Sequence, residues 1–497
     1  MGPDRSGNLN KKRGVASEHT DMSPVRLSCF WKETNEHESF VKRGTMYLEE
    51  QRRRALSLLA NLIIWVFEAV SFGVIWFGEY HNPLFFRGNY VVIGLYAVFL
   101  FLITKSFNGY KLSYMRVLDL CLSHGLAIVI GGAVAYIFIC MVSRDYMNVL
   151  PVIIMVIIQI VFETLWVILI QHIYMLFFPP RKLIVIYGIY PPENFLLKIN
   201  ARRDRYQICE VLNYQQGMEK IQQDVLDFEG VVLYDLPSED RNNILKYCFK
   251  HSIRTYVIPK ITDIIMKGAD DMHLVDTPVF LSRNIGLQAD QRFFKRATDL
   301  LISGVGIVVA SPIMLIIAIA IKAYDHGPVF YRQVRLTRGG KQFMIYKFRS
   351  MRIDAEANGA QLAKKNDDRI TPVGKVLRNL HLDELPQLFN VFVGDMSMVG
   401  PRPERPEIFE KYEESVPDFD FRLKVKAGLT GYAQVYGKYN TTPIDKLKLD
   451  LTYIQEYSYR LDLKLLLLTF RIVFRKESSE GVDKNQQTAL KDKNEKG

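Results

Sequence analysis

The sequence predicts a membrane α-helical bundle joined to an α/β Rossmann-like cytoplasmic domain, followed by a third region that returns to the membrane through a re-entrant helix. Three observations predict it. Hydrophobic residues make up 49% of the 497-residue chain, yet 24% is charged and the mean hydropathy is only +0.02, so apolar material must be segregated. Long apolar stretches crowd into residues 56–178, and short apolar runs alternating with polar, helix-compatible segments follow them. A later apolar run, Ala297–Ile321, is broken in its middle by Ser311-Pro312 and flanked on both sides by basic residues.

Residues 1–50 are polar, mixed in charge and aperiodic, and are expected to be disordered. The first apolar run begins only after Arg52-Arg53-Arg54, so no secretory signal is visible; Met22 and Met46 leave a later start open. The bundle, residues 51–180, is expected to hold spans at Leu56–Phe77, Tyr90–Ile103, Val117–Val142 and Leu150–Phe178, the second of them short. Lys42, Arg43, Arg52–Arg54, Lys105, Lys111, Arg116, Arg181 and Lys182 lie on one side of this pattern, and only Arg87 and Arg144 on the other. The positive-inside rule therefore places the N-terminus and everything after the bundle in the cytoplasm. Glu68 and Glu163 fall within spans with no basic partner evident, which favours helix–helix hydrogen bonding or a position at the mouth of the bundle over a functional role. The net charge of +11 suits an anionic membrane surface or an anionic substrate. Cys29, Cys121, Cys140, Cys209 and Cys248 show no CxxC spacing, so neither a disulfide framework nor a zinc site is indicated by the cysteines.

Residues 181–288 carry buried-strand patterns at Leu183–Tyr187, Ile208–Leu212, Val231–Tyr234 and Thr255–Ile258, the spacing of a parallel α/β layer. The first strand runs into YGIYPPEN and not GxGxxG, which argues against dinucleotide binding. A structural, dimerising or regulatory module remains, and a homodimer is compatible with it.

In the third region, Lys295 and Arg296 precede the apolar run and Lys322 ends it. A full crossing would carry the rest of the chain outside, against the basic flanks. Pro312 removes a backbone hydrogen bond, and the Ser311 hydroxyl can satisfy a freed carbonyl, so a helix that dips into one leaflet is preferred to a kinked spanning helix. Gly327–Met351 then reads as a basic β-hairpin, with Arg332, Arg335, Arg338, Lys341, Lys347 and Arg349, and Arg352 just beyond it, alternating with aromatics around Gly339-Gly340. Cations this dense beside a membrane element suit phosphate groups. Without a nucleic-acid-binding motif, nucleic acid is not expected as a partner.

Arg378–Arg405 contains the acid pair Asp383-Glu384, then Pro386, and later Gly400-Pro401-Arg402-Pro403. Proline in a first helical turn would put Asp383 near the N-cap, where the helix dipole keeps a carboxylate ionised and ready for phosphate or metal. The alternative is a plain cap beside a surface acid.

The motifs KRATDLLISGVGIVVASPIMLIIAIAIK, GPVFYRQVR, YKFRSM, DDRITPVGKVLR, LDELPQLFNVFVGDMSMVGPRP and KAGLTGYAQVYGKYN resemble the bacterial polyprenyl-phosphate sugar-1-phosphate transferases, in the large form that carries N-terminal transmembrane helices. The resemblance implies a mixed α/β monotopic catalytic domain over residues 289–476, with a re-entrant helix at 297–321. It implies transfer of a sugar-1-phosphate from a UDP-sugar to undecaprenyl phosphate with release of UMP, at the cytoplasmic face of a bacterial inner membrane. By this resemblance Asp383 attacks or activates, Glu384 positions or holds Mg2+ with it, and Arg332, Lys347, Arg349 and Arg402 meet donor phosphates or nucleotide; Arg335 and Lys341 of the basic hairpin are expected to do the same by their charge. Attack through a phospho-enzyme and direct attack by the lipid phosphate both stay open. The chain departs from the family pattern at Thr337 and Ala427, which bears on sugar or nucleotide selectivity. His381 is expected to be structural. Asp418-Phe419-Asp420 offers a rival, DxD-like metal motif for a glycosyltransferase releasing UDP, and a non-catalytic scaffold is the other alternative. Leu463–Phe474 is expected to lie at the membrane interface in preference to a core, with residues 477–497 disordered.

Overall fold

The computed structural model describes residues 24–80, 86–112, 114–200, 202–282, 286–353, 355, 367–437 and 441–473; at 24–47, 86 and 470–473 the backbone alone is described. The described residues divide into two compact units, one drawn from Met1–Leu56 and Pro180–Tyr256, the other from Ser57–Pro179 and Val257–Gly497. The expected C-terminal tail and residues 1–23 lie outside the described residues. From Pro24 the backbone is helical, contrary to the disorder expected through residue 50. No proline interrupts residues 25–78, and a helix nucleated in the apolar span propagates into such a segment at little cost.

In the first unit, β1 (Arg181–Tyr187), α5 (Glu193–Asn200), β2 (Tyr206–Asn213), α6 (Met218–Val225), β3 (Gly230–Tyr234), α7 (Ser238–Lys250) and β4 (Arg254–Val257) form a layer with strand order β2-β1-β3-β4. β1 is parallel to both neighbours. Leu183, Ile184, Val185 and Ile186 are buried in succession because a central parallel strand is covered on both faces, which is why its sequence reads as a run without alternation. Ile221, Val225, Ile244 and Cys248 from the helices complete this core. Glu50 fastens the incoming helix to the sheet through Arg181 at 2.7 Å and Arg254 at 2.9 Å.

The second unit contains the apolar part of α1 (Pro24–Gly78), α2 (Phe86–Ser106), α3 (Val117–Ser143) and α4 (Leu150–Phe177). The second span is 21 residues long, longer than its sequence core suggests. These four helices and α9 (Ala289–Asp325) are each long and apolar enough to cross a membrane, which makes this a membrane-associated chain. Between α4 and α9 lie the strands already described, α8 (Ile261–Lys267) and the antiparallel pair β5 (Asp270–Leu274) and β6 (Thr277–Leu281). Residues 257–282, assigned to the α/β domain from sequence, belong to this second unit, where α8 packs on α14 (Pro443–Gln455).

α9 is continuous through Pro312. The proline cannot donate to the Val308 carbonyl, and Ser311 Oγ does so in its place at 2.8 Å. The hairpin follows as β7 (Phe330–Leu336) and β8 (Gln342–Phe348), then α10 (Pro372–Asn379), whose first turn is capped by Thr371 accepting from Gly374 N at 3.0 Å. Beyond it come α11 (Gln387–Val393), β9 (Ser397–Val399), α12 (Pro406–Ser415), β10 (Gly428–Thr430), α13 (Tyr432–Tyr436), α14 and α15 (Tyr459–Val473). β9 and β10 pair in parallel, and a Cβ at Gly428 would stand 2.1 Å from Gly400 N, so only glycine permits this approach. Val391, Met396, Phe419, Leu447, Leu451, Tyr453, Leu465 and Leu468 fill the core around them. One face of the last helix packs into this core: Leu463 is 58% exposed, while Leu465 and Leu468 of α15 are fully buried and Thr469 Oγ1 lies 2.7 Å from Thr430 Oγ1 of β10. Their i, i+3 spacing puts both leucines on the face that covers the strand pair.

Candidate active site

Strand alternation sorts the basic hairpin before any site is considered. Lys347 shares a face with the buried Phe343 and Ile345, whereas Arg332 pairs with Tyr346 on the opposite, exposed face, its guanidinium 5.2 Å from that ring's centre. Lys347 Nζ donates to Glu384 Oε1 at 2.6 Å, and Arg402 Nη2 donates to the same oxygen at 2.7 Å. Asp383 is the adjacent residue, 8% exposed, and among the described residues nothing hydrogen-bonds to its carboxylate. Asp383, Glu384, Lys347 and Arg402 are thus the sequence-predicted residues that the fold brings together.

The others go elsewhere. Arg349 makes a bidentate pair with Asp325 and donates from Nε to the Pro328 carbonyl at 2.8 Å, tying the end of α9 to the hairpin. Arg335 donates to the Pro403 carbonyl at 3.1 Å and to Gln333 at 2.7 Å. Lys341 is exposed beside the hairpin turn.

The acid pair is not at a helix N-cap. His381 takes a left-handed backbone (φ 54°) and starts a 3-10 turn over Leu382–Glu384; the N-cap of α11 is Pro386. Successive residues of a 3-10 turn point about 120° apart, and it is Glu384 that hydrogen-bonds the two cations while Asp383 bonds to neither. For Glu384, helix-dipole stabilisation is therefore replaced by direct ion pairing. Burial alone would raise Glu384, but Arg402 and Lys347 hold it well below the usual carboxylate range. Burial pushes Asp383 upward, with Lys347 opposing. His381 serves as the positive-φ turn residue, in keeping with a structural role.

Sequence reasoning missed the residues that hold this group in place. Asn390, in the apolar run after the acid pair, accepts from Tyr346 N at 3.0 Å and donates to the Met344 carbonyl at 2.7 Å, fixing α11 along the edge of β8. Arg296, read as a topological charge, donates to the Val391 and Phe392 carbonyls and caps the C-terminal end of α11. Asp299 accepts from Ser397 Oγ at 3.0 Å and Met398 N at 2.9 Å; Lys295, one turn earlier, pairs with Asp462 at 2.6 Å. Arg422 donates to the Arg402 carbonyl at 2.9 Å and pairs with Asp450 at 2.7 Å, which sets the loop that aims Arg402. Glu404, beside it, would be raised by burial but is brought down to about 2 by Lys446 and Arg422. The available signal was polar residues inside apolar runs, Asn390 and Asp299 above all.

The two departures from the family pattern are partners: Thr337 Oγ1 accepts from Ala427 N at 3.2 Å and donates to the Asp395 carbonyl at 3.0 Å. Both line a shallow cavity with Arg402 and Glu404. At the DxD-like motif, Phe419 is buried against Phe409 and Tyr412, which is the loop packing its flanking aromatics suggest. Among the described residues the one cluster of three potential metal ligands is Glu68, His124 and Glu163. Glu68 and Glu163 therefore do have a basic neighbour, His124.

Residues 290–476 match the family described as bacterial sugar transferase. The chain is 42% identical over 184 residues to the UDP-N-acetylgalactosamine-undecaprenyl-phosphate N-acetylgalactosaminephosphotransferase of Aeromonas hydrophila, covering 36% of this chain and 44% of that one. It is 44% identical over 181 residues to the UDP-glucose:undecaprenyl-phosphate glucose-1-phosphate transferase of Klebsiella pneumoniae, covering 35% and 39%. It is 48% identical over 129 residues to a putative undecaprenyl-phosphate N-acetylgalactosaminyl 1-phosphate transferase of Bacillus subtilis, covering 26% of this chain and 72% of the relative. The matched part spans less than half the length of the first two relatives. A membrane-associated α/β unit with paired acids between cations is the class that fold and site define. The chain belongs to the bacterial sugar transferase family, among its polyprenyl-phosphate sugar-1-phosphate transferases.

Proposed function

We propose that the protein transfers a sugar-1-phosphate from a UDP-sugar to undecaprenyl phosphate, releasing UMP and forming undecaprenyl-diphosphate-sugar, the first step of an exopolysaccharide, capsule or O-antigen unit. The observation that carries this reading is Glu384 clamped between Lys347 and Arg402 beside an Asp383 carboxylate that no described residue occupies. Phosphoryl transfer needs positioning and charge neutralisation above all. Arg402 keeps 43% of its side chain exposed, so it can meet a diphosphate without leaving Glu384. Asp383 then attacks the phosphorus bonded to the sugar; the bond to the UMP oxygen breaks, UMP carries off that electron pair, and the phospho-enzyme passes its phosphosugar to the lipid phosphate.

Mg2+ fits this donor set. Asp383 offers an uncommitted carboxylate, and Glu384 has a second oxygen beyond the one that Lys347 and Arg402 share. Such an ion would neutralise donor phosphates; Lys347 and Arg402 do the same from the protein side. α9 is read as re-entrant, with its ends and the hairpin on the cytoplasmic face, where a soluble nucleotide sugar and a headgroup-level lipid phosphate can both arrive.

The test is the nucleotide product from purified protein, undecaprenyl phosphate and a panel of UDP-sugars. UMP is expected; UDP would identify a glycosyltransferase, and no Mg2+-dependent turnover a scaffold. Single cysteines at Gln291 and His326 test the helix: both are expected to label from the cytoplasmic side, and labelling from opposite sides would establish a span.

A further inference from the structure

We propose that Glu68, His124 and Glu163 bind a divalent transition-metal ion, Zn2+ by donor chemistry, inside the helical bundle. The three residues come from α1, α3 and α4 and are 0%, 2% and 1% exposed. One ligand atom from each falls within 4.8 Å of the other two. Neither carboxylate accepts a hydrogen bond from a neighbouring donor, and His124 Nδ1 lies 2.8 Å from Glu163 Oε2 without donating to it. Buried polar atoms are rarely left this way, since each costs a full desolvation penalty.

Two neighbouring donors are committed elsewhere: Tyr96 OH donates to Gln159 Oε1 and Gln159 Nε2 to Ser71 Oγ. Tyr110, whose ring stands edge-on to His124 at 6.0 Å, donates to none of the three residues. His124 Nε2 stands 3.2 Å from the Gly109 carbonyl, which can only accept; Nε2 therefore carries the proton and Nδ1 turns its lone pair toward the two carboxylates. A metal-binding histidine is oriented in this way, by donating its other N–H to a carbonyl. A Cβ at residue 109 would lie 3.2 Å from Nε2 and 2.6 Å from Thr104 Cγ2, so glycine permits the approach.

Three acceptor groups converging in an apolar bundle call for a cation. One imidazole nitrogen with two carboxylates suits Zn2+ and its neighbours, whereas Mg2+ and Ca2+ favour oxygen alone. A divalent ion balances two carboxylates, leaving no net charge in the hydrocarbon region, and it would join three helices that hydrophobic contact alone does not distinguish from lipid.

The experiment uses the full chain, purified in detergent without chelator or polyhistidine tag and exposed to Zn2+ or Co2+ before desalting. About one Zn2+ per chain by elemental analysis is expected, with visible Co2+ absorption bands when cobalt replaces it. His124→Ala and Glu163→Gln should each lower retention at least about tenfold, while Asp383→Asn/Glu384→Gln should keep it. Wild-type protein holding under about a tenth of an equivalent of either metal would overturn the proposal and leave a shared proton as the occupant, whatever the variants do. Retention by Glu163→Gln equal to wild type would overturn it too.

Discussion

Lys347 and Glu384, 37 residues apart in sequence, meet at 2.6 Å with their side chains only 18% and 15% exposed. Arg402 takes the same carboxylate oxygen at 2.7 Å from a side chain that is 43% exposed. One cation is thus built into the structure while the other faces outward, and the two should respond differently to replacement.

Asp383→Asn should lower transfer by about three orders of magnitude or more, because the amide keeps the shape and loses the nucleophile. UMP release measures the loss, and an unchanged melting temperature shows that the protein is intact. Substantial turnover by the purified variant would remove Asp383 from the chemistry.

Lys347→Met leaves a buried carboxylate without its inner partner and should cost about 3 kcal/mol of stability; adding Glu384→Gln should recover part of that and none of the activity. Arg402→Ala should cost less than about 1 kcal/mol, its pair being half in solvent, while reducing transfer at least about tenfold. Chemical unfolding and UMP release on the same preparations separate the two effects.

Glu404 gives a pH dependence of defined sign. Its folded pKa, about 2, lies below its ordinary value of 4.5, so its contribution to stability is present above about pH 4.5 and is lost as pH falls toward 2. Glu404→Gln should be less stable than wild type at pH 7, and the gap should close through that window. A gap independent of pH would show that Glu404 stabilises by shape alone.

Arg349→Ala should cost about 2 to 3 kcal/mol, since it breaks a bidentate pair with Asp325 and a bond to the Pro328 carbonyl. Arg332→Ala should change stability by less than about 1 kcal/mol and reduce transfer less than Arg402→Ala, because Arg332 stands on the exposed face opposite Lys347. A larger loss for Arg332→Ala would place a substrate phosphate on that face.

Much of this protein was legible in one dimension. Apolar span length, the run of buried residues in β1 and the turn at Gly339-Gly340 are local features, so the helices, the parallel sheet and the hairpin could be read directly. The acid pair stood out because its flanking residues were chemically unusual. Its local geometry was misread: the positive φ at His381 and the short 3-10 turn displace the helix start to Pro386, and nothing in residue type forces that choice over an ordinary first-turn proline.

What sequence alone determined was the inventory, namely membrane helices, an α/β layer, a cation-rich hairpin and Asp383-Glu384. Tertiary structure decided the partners. Strand pleat split Arg332 from Lys347, Asp325 claimed Arg349, and Arg422 aimed Arg402 at Glu384. Helix packing likewise brought His124 to Glu68 and Glu163. The reason is physical: periodicity assigns a residue to a face, but which charges meet depends on how faces from distant segments pack, and burial then makes each unmatched charge too costly to leave alone.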